Sequence, residues 1–351
     1  MTAPNTPPTS TPAAAVPAAA AAAAPAEQVC FGIDVAKDKL DLGRSDARAV
    51  RTFANDKAGV AALVAHLRAA VPPDRLGTTA IEATGGYEQL VLDALIDAGL
   101  PVARVQPGRV RSMAGALNQH AKTDCADARL LAEFARLIQP RLAQRQAAAR
   151  VELHALVTCR RQLLHIRTEE SNRRGTTTSK AALKAIDAVL ATLDKQVQSL
   201  DRQIRALIDA DDDMREADRI LQTVPGVSDR IAAVLLAELQ ELGNTDRRRI
   251  ASLAGVAPFD NQSGERTGEK HIRGGRATVR NGLYMAALTA ARCNPVIKPF
   301  YQRLRAKGYK AKYALTACMR KLLGLLNAML RDGLTWDQLA VNAAKPATPT
   351  T

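Results

Sequence analysis

Through its first third the chain alternates short apolar runs with stretches of helical spacing. Val29–Ile33 and Leu40–Arg44 read as strands and form a candidate hairpin; Thr78–Ala83 and Leu100–Gln106 read as two more strands. Lys57–Ala70, Glu88–Ala98, Gly108–Gln119 and Asp124–Ile138 instead place apolar residues three and four apart, the period of one helix face. Such alternation predicts an α/β domain on a central sheet. From 150 to 210 the pattern changes. Ile186, Leu190, Leu193, Val197, Leu200, Ile204 and Leu207 follow a heptad seam, the mark of a coiled coil. Val151–Glu170 is also helical, with SNRRGTTTSK as the turn between. An intramolecular hairpin and a dimerisation arm weigh evenly, because one seam does not tell a partner in cis from one in trans.

Beyond Met214 the chain reads as mostly helical. RILQTVPGVSDRIAAVLLAEL resembles a helix-hairpin-helix, with Gly226 in the turn and Ser228 where a second glycine is usual. In that motif backbone N–H groups at a helix start bind a phosphate; a plain helical hairpin is an equal reading. FDNQSGERTGEKHIRGGRATVRNG then reads as a Gly- and Arg-rich loop around Ser263. Val279–Arg292, Val296–Ala306 and Lys312–Leu330 follow as packed helices, the last with Leu315, Met319, Leu322, Leu326 and Met329 on its core face. The expected organisation is an α/β domain at 28–148, a coiled-coil hairpin at 149–213 and a mostly α domain at 214–337. An Ala/Pro-rich head at 1–27 and an end at 338–351 read as disordered tails.

Charge sharpens this picture. The chain has 351 residues, 49 Lys and Arg against 35 Asp and Glu, and a formal charge of +14. Between Arg266 and Arg331 lie 15 Lys or Arg and one acid, Glu269. A cationic region with apolar helical periodicity is a folded surface for a polyanion, nucleic acid before membrane. Aromatics are only 3%, so contacts to phosphates outweigh stacking on an aromatic platform. The five cysteines form no CxxC pair and read as small apolar residues in a reducing, cytoplasmic setting. No stretch reads as a membrane span.

Four acids carry the candidate chemistry. Asp34 and Glu82 each end an apolar run, and Asp124 and Asp127 are three apart at the start of a helical stretch. Two strand acids and a helical pair can converge on hard divalent cations, and two Mg²⁺ ions about 3.5–4 Å apart can clamp a phosphoryl transfer. Arg266, Arg273 and Arg276 are placed to stabilise developing phosphate charge, with Lys270, Arg280 and Gly226 as further nucleic-acid contacts. Ser263 alone reads as a turn serine.

Taken in order, GIDVAKDKLDL (32–42), EATGGYE (82–88), QPGRVR (106–111), KTDCADA (122–128), VPGVS (224–228), GVAPFDNQSGERTGEKHIRGGRATVR (255–280) and LYMAAL (283–288) resemble the DEDD transposases of a family of bacterial insertion sequences, the bridge-RNA-guided recombinases. The resemblance runs from about residue 28 to 337. It implies an RNase H-like, RuvC-type fold for the first domain, with Asp34, Glu82, Asp124 and Asp127 holding Mg²⁺. It implies Ser263 as a nucleophile forming a phosphoserine link to DNA. It also implies a noncoding guide RNA pairing with target and donor DNA, and active sites composed from two protomers of a dimer or tetramer. Two other readings stand beside it: a RuvC-like metal nuclease that uses water, and a non-catalytic nucleic-acid-binding protein.

Overall fold

A computed structural model describes residues 28–118, 124–263 and 266–339; the side chains at 124, 125 and 261–269 fall outside that description. The head at 1–27 and the end from 340 lie outside the described residues. Gln338 and Leu339, read as the start of the tail, instead close a last helical turn, with the Gln338 side chain accepting from the Thr335 N–H at 2.9 Å. The chain divides into two compact units, one ending at Arg145 and one beginning at Gln146.

The first unit runs β1 (Val29–Val35), β2 (Lys39–Arg44), β3 (Arg51–Ala54), α1 (Lys57–Ala70), β4 (Leu76–Glu82), α2 (Gln89–Asp97), β5 (Val102–Val105), α3 (Pro107–Ala116) and α4 (Asp124–Ile138). The sheet order is β3-β2-β1-β4-β5. β1, β2 and β3 are antiparallel neighbours, while β4 and β5 run parallel to β1. Alternation along the strands feeds two cores. Phe31, Ile33 and Ile81 pack with Leu63 of α1 and Leu95 of α2. Cys30, Ala80 and Val105, on the other face, pack with Val110 of α3 and Leu131 and Phe134 of α4. α1 begins at Asp56, whose carboxylate accepts from the Gly59 N–H at 2.7 Å. β3, Arg-Thr-Phe-Ala, has neither an apolar run nor an alternation of polar and apolar residues, and the sequence pattern does not predict it.

Two glycines set how closely α4 approaches. Gly32 and Gly43 pair across β1 and β2. A methyl group on Gly32 would lie 2.2 Å from the Ala128 carbonyl oxygen, and one on Gly43 2.7 Å from its carbonyl carbon. Only a missing side chain lets the helix backbone lie directly on the strands. Ala128 stands over Gly32 and Gly43, while Glu133 and Arg136 lie beside Cys30. α4 therefore runs antiparallel to β1, and its first turn sits at the end of β1 that carries Asp34.

The second unit is helical apart from one hairpin. It contains α5 (Ala148–Thr176), α6 (Lys180–Ala210), α7 (Asp212–Gln222), α8 (Asp229–Glu238), α9 (Arg247–Leu253), β6 (Pro258–Ser263), β7 (Arg266–Ile272), α10 (Ala277–Cys293), α11 (Ile297–Ala306) and α12 (Ala311–Asp332). The coiled-coil segment is not a separate body: Leu153, Val157, Ile204 and Ile208 belong to the same core as Leu283, Leu322 and Leu326. The seam pairs in cis. Ile186, Leu193, Val197, Leu200 and Ile204 are buried, and Arg160, Arg167 and Arg174 of α5 meet Asp201, Asp194 and Asp187 of α6. These pairs step one heptad up α5 and one heptad down α6, as an antiparallel hairpin requires. SNRRG continues α5, so the turn is only Thr177–Ser179. The region predicted as a Gly- and Arg-rich loop is a β-hairpin, with Ser263 opposite Arg266 at its tip. Its alternating polar residues and glycines carry no apolar period that would have announced strands.

Candidate active site

Ile33 pairs with Ile81 in the parallel β1–β4 ladder. One residue on, Asp34 and Glu82 therefore stand level on adjacent strands, about 4.8 Å apart in backbone spacing. Both are on the face that Gly32 and Ala80 turn towards α4. Both are half-buried, as is Asp127. Asp124 opens α4 one turn before Ala128, on the same side of the helix; its side chain lies outside the described residues. The fold thus brings two strand ends and one helix start to a single carboxylate edge. This is the carboxyl end of the parallel strands, where open α/β sheets bind ligands. Among the described residues no three His, Cys, Asp or Glu side chains are grouped closely enough to hold a metal ion.

Asp41 was not singled out from the sequence. It pairs directly across from Asp34. It is buried, accepts a hydrogen bond from the Thr52 hydroxyl at 2.6 Å and an ion pair from Lys39 at 2.9 Å. The signal was present in Lys-Leu-Asp-Leu, where strand alternation puts Lys39 and Asp41 on one face.

Glu88, the last residue of the EATGGYE motif, organises the loop after Glu82. Gly85 and Gly86 take positive φ angles of 83° and 121°, and the turn folds back on the Glu88 carboxylate. That carboxylate accepts from the Gly86 N–H at 2.8 Å and from the Thr84 N–H and hydroxyl, each at 3.2 Å. Burial pushes the Glu88 carboxyl up, but the N–H groups of Glu88, Gly86 and Thr84 outweigh it and leave it below its ordinary 4.5. A depressed carboxylate stabilises the fold above its unfolded pKa and loses that contribution as pH falls through its folded one. Glu88→Gln is expected to destabilise the first unit by about 1–3 kcal/mol near neutrality. The gap to the wild type should close as pH is lowered. Urea midpoints of both proteins across an acid series check this; a gap independent of pH would rule the carboxylate out as the pin.

The basic candidates fall into two groups. Arg276 donates to both oxygens of Glu241 at 2.6 and 2.8 Å, and Arg280 donates to the Gly274 carbonyl at 2.6 Å. Both hold the Gly274–Gly275 turn against Gly255, where a methyl group on Gly275 would meet the Gly255 nitrogen at 2.1 Å. Arg276 and Arg280 are thus engaged within the protein. Arg273 is exposed and lies over the Phe259 ring at 4.8 Å; Lys270 is exposed and paired with Asp260 at 2.7 Å. The side chains of Ser263 and Arg266 lie outside the described residues. Gly226 has a φ of 107° and presses on α10, 2.8 Å from the Ala290 methyl for an added Cβ. At the start of α8 the Arg230 N–H is bonded to the Asp229 carboxylate at 2.8 Å.

Residues 31–177, which hold all four acids, match the family model for DEDD transposases of the IS110 type. Residues 218–302, which hold Gly226, Ser263 and the basic hairpin, match the model described as Transposase IS116/IS110/IS902 family. The chain belongs to this transposase family. The transposase is 28% identical over 317 residues to the pilin gene-inverting protein of Moraxella lacunata, an alignment covering 88% of this chain and 97% of that one. It is 27% identical over 401 residues to the 42 kDa protein of insertion element IS900 of Mycobacterium paratuberculosis, covering 91% and 100%. The 43.6 kDa protein of IS110 from Streptomyces coelicolor is 33% identical over 120 residues, 34% of this chain and 30% of that one.

As a transposase the chain is an enzyme of DNA recombination. No helix among the described residues is long and apolar enough to cross a membrane. The cysteines of the transposase divide by position. Cys30 and Cys318 are buried, and burial raises both thiols, Cys318 to about 11, which keeps them protonated. Cys159 and Cys293 are exposed, contrary to the expectation that all five serve as small apolar residues.

Proposed function

We propose that this transposase cleaves and rejoins DNA at the ends and target of an insertion element, through Mg²⁺ held by Asp34, Glu82, Asp124 and Asp127 and through Ser263 as nucleophile. The level placement of Asp34 and Glu82 beneath the first turn of α4 carries the reading. The strand order β3-β2-β1-β4-β5, with acids on β1, β4 and the helix that covers them, supports an RNase H-like, RuvC-type description of the first unit. The donor set fits the ion: four carboxylates with no His or Cys are hard oxygen ligands that suit Mg²⁺ over zinc. An edge rather than a closed cage suits Mg²⁺ as well, because it keeps water and substrate phosphate among its ligands. Bound there, Mg²⁺ supplies charge stabilisation to the phosphate.

The protein's own groups supply the rest. The Ser263 oxygen forms a bond to phosphorus as the scissile P–O bond breaks; the serine proton passes to a base and the leaving deoxyribose oxygen takes up a proton. Rejoining reverses the step on a new strand end and returns the serine, so no bond energy is lost to water. A noncoding RNA guides the choice of sites, and at least a dimer holds two duplexes together. The charge of the chain, +14, and a relative named for inverting a pilin gene support this reading. The test is recombination of purified protein with element DNA and transcript. Protease-sensitive, phosphatase-resistant DNA adducts that form only with the RNA present are expected. Recombination that survives complete RNA digestion would remove the guide, and cleavage without any adduct would leave a water-using nuclease.

A further inference from the structure

A groove of ≈ 980 Å³ lies within the second unit, between α9, β7, α11 and the first half of α12. Among the described residues no acidic side chain lines it. α9 contributes Arg247 and Arg248, and β7 contributes Lys270. Lys310, Lys312, Arg320 and Lys321 come from α12 and the residue before it. Of these cations only Lys270 is in an ion pair among the described residues. The Nε of Arg320 is buried without a hydrogen-bond partner, the state of a donor whose acceptor comes from outside. The N-terminus of α12 opens here with neither a side-chain cap nor an acid in its first turn. Cations converging on such a helix start without a counter-charge form an anion site.

Aromatic rings stand beside the charge. Tyr313 lines the groove, is stacked on Tyr309 at 4.8 Å and 12°, and is still 42% exposed. Phe300 lies under the Lys321 ammonium at 4.7 Å. The low aromatic content of the chain hides this cluster, since few rings suffice when they share one wall. Bases in a duplex already cover each other's faces, so a protein ring can add to the stack only of an unpaired base.

We propose that this groove binds an unpaired stretch of nucleic acid, its phosphates on the cations of α9 and α12 and one base extending the Tyr309–Tyr313 stack. The inference rests on the reading of the chain as acting on nucleic acid, and it does not involve the carboxylate edge. The experiment is fluorescence anisotropy of full-length protein, without divalent metal, with single-stranded DNA, single-stranded RNA and duplex DNA of one sequence. Tyr313→Leu should weaken binding of a single strand about tenfold, the scale of one lost base–aromatic stack. Tyr313→Phe should keep that affinity, and duplex binding should not change. Whichever single strand responds names the source. Lys310→Gln with Lys312→Gln should lower the single-strand salt slope by about 1.4. Thermal melting checks that the exposed Tyr313 variants fold. Unchanged single-strand binding, or an equal loss on duplex, would overturn the proposal. Asp34→Asn protein run in parallel separates the two readings: single-strand binding retained while recombination is lost leaves the groove standing on its own.

Discussion

Asp34→Asn is expected to lower strand exchange by roughly a thousandfold or more, because several kcal/mol of charge stabilisation disappear and each 1.36 kcal/mol is a factor of ten. Asn keeps the shape of the side chain, and neither the β1–β4 ladder nor the Gly32–Ala128 contact depends on the charge. The variant should therefore melt like the wild type and bind DNA at least as well, since one anion facing phosphate is gone. It should also lose the thermal shift that Mg²⁺ gives the parent protein, because a ligand that binds the folded state raises its stability. That second readout separates a lost metal ligand from a lost base. Asp41→Asn is the informative neighbour. Its carboxylate is already engaged by Thr52 and Lys39, so its removal should cost stability more than it costs Mg²⁺ response. Full recombination by Asp34→Asn in Mg²⁺, or an unchanged Mg²⁺ shift, would remove Asp34 from the site.

The first unit was largely legible because its elements obey one period each. β1 and β4 are apolar runs closed by an acid, and α1 and α4 are amphipathic, so Asp34, Glu82 and Asp127 were visible as charges that break an apolar frame. Their register was not visible: the pairing of Ile33 with Ile81 is set by packing across the sheet, not by either strand alone. β3 escaped because four residues, three of them exposed, carry too little pattern. α9 escaped because it begins with three arginines and is short; what defines it is Asp246, whose carboxylate caps the N–H groups of Arg248 and Arg249 at 2.8 and 3.0 Å. Most of the seam residues of α6 are buried, and the helix they meet was written in the same stretch. Arg160, Arg167 and Arg174 repeat at seven, as do Asp187, Asp194 and Asp201. Complementary charges repeating on two successive helices favour a partner in cis. The basic hairpin was the hardest part. Arg276 reads as a phosphate ligand until Glu241, 35 residues earlier, is folded against it.

Ser263→Ala should eliminate both DNA cleavage and the covalent adduct, a loss on the order of 10⁴-fold or more when a covalent nucleophile is removed. Binding should change little, because the hydroxyl is one group beside many cations. Ser263 ends β6 and pairs with Arg266 across the tip of the β6–β7 hairpin. A guanidinium beside an attacked phosphate can offset the charge that builds on it. A serine hydroxyl remains a weak nucleophile unless its proton is taken, so the rate should depend on pH through the group that takes it. Ser263→Cys tests the chemistry itself. A thiol attacks phosphorus less well than an alkoxide, so traces of adduct with slow religation are expected. A suicide substrate with labelled DNA, followed by peptide mapping, decides the matter. Label on the peptide containing Ser263, absent in Ser263→Ala and present in Asp41→Asn, is the expected pattern. Label on another residue, or cleavage that persists in Ser263→Ala, would falsify the serine step and leave water as the nucleophile at the carboxylate edge.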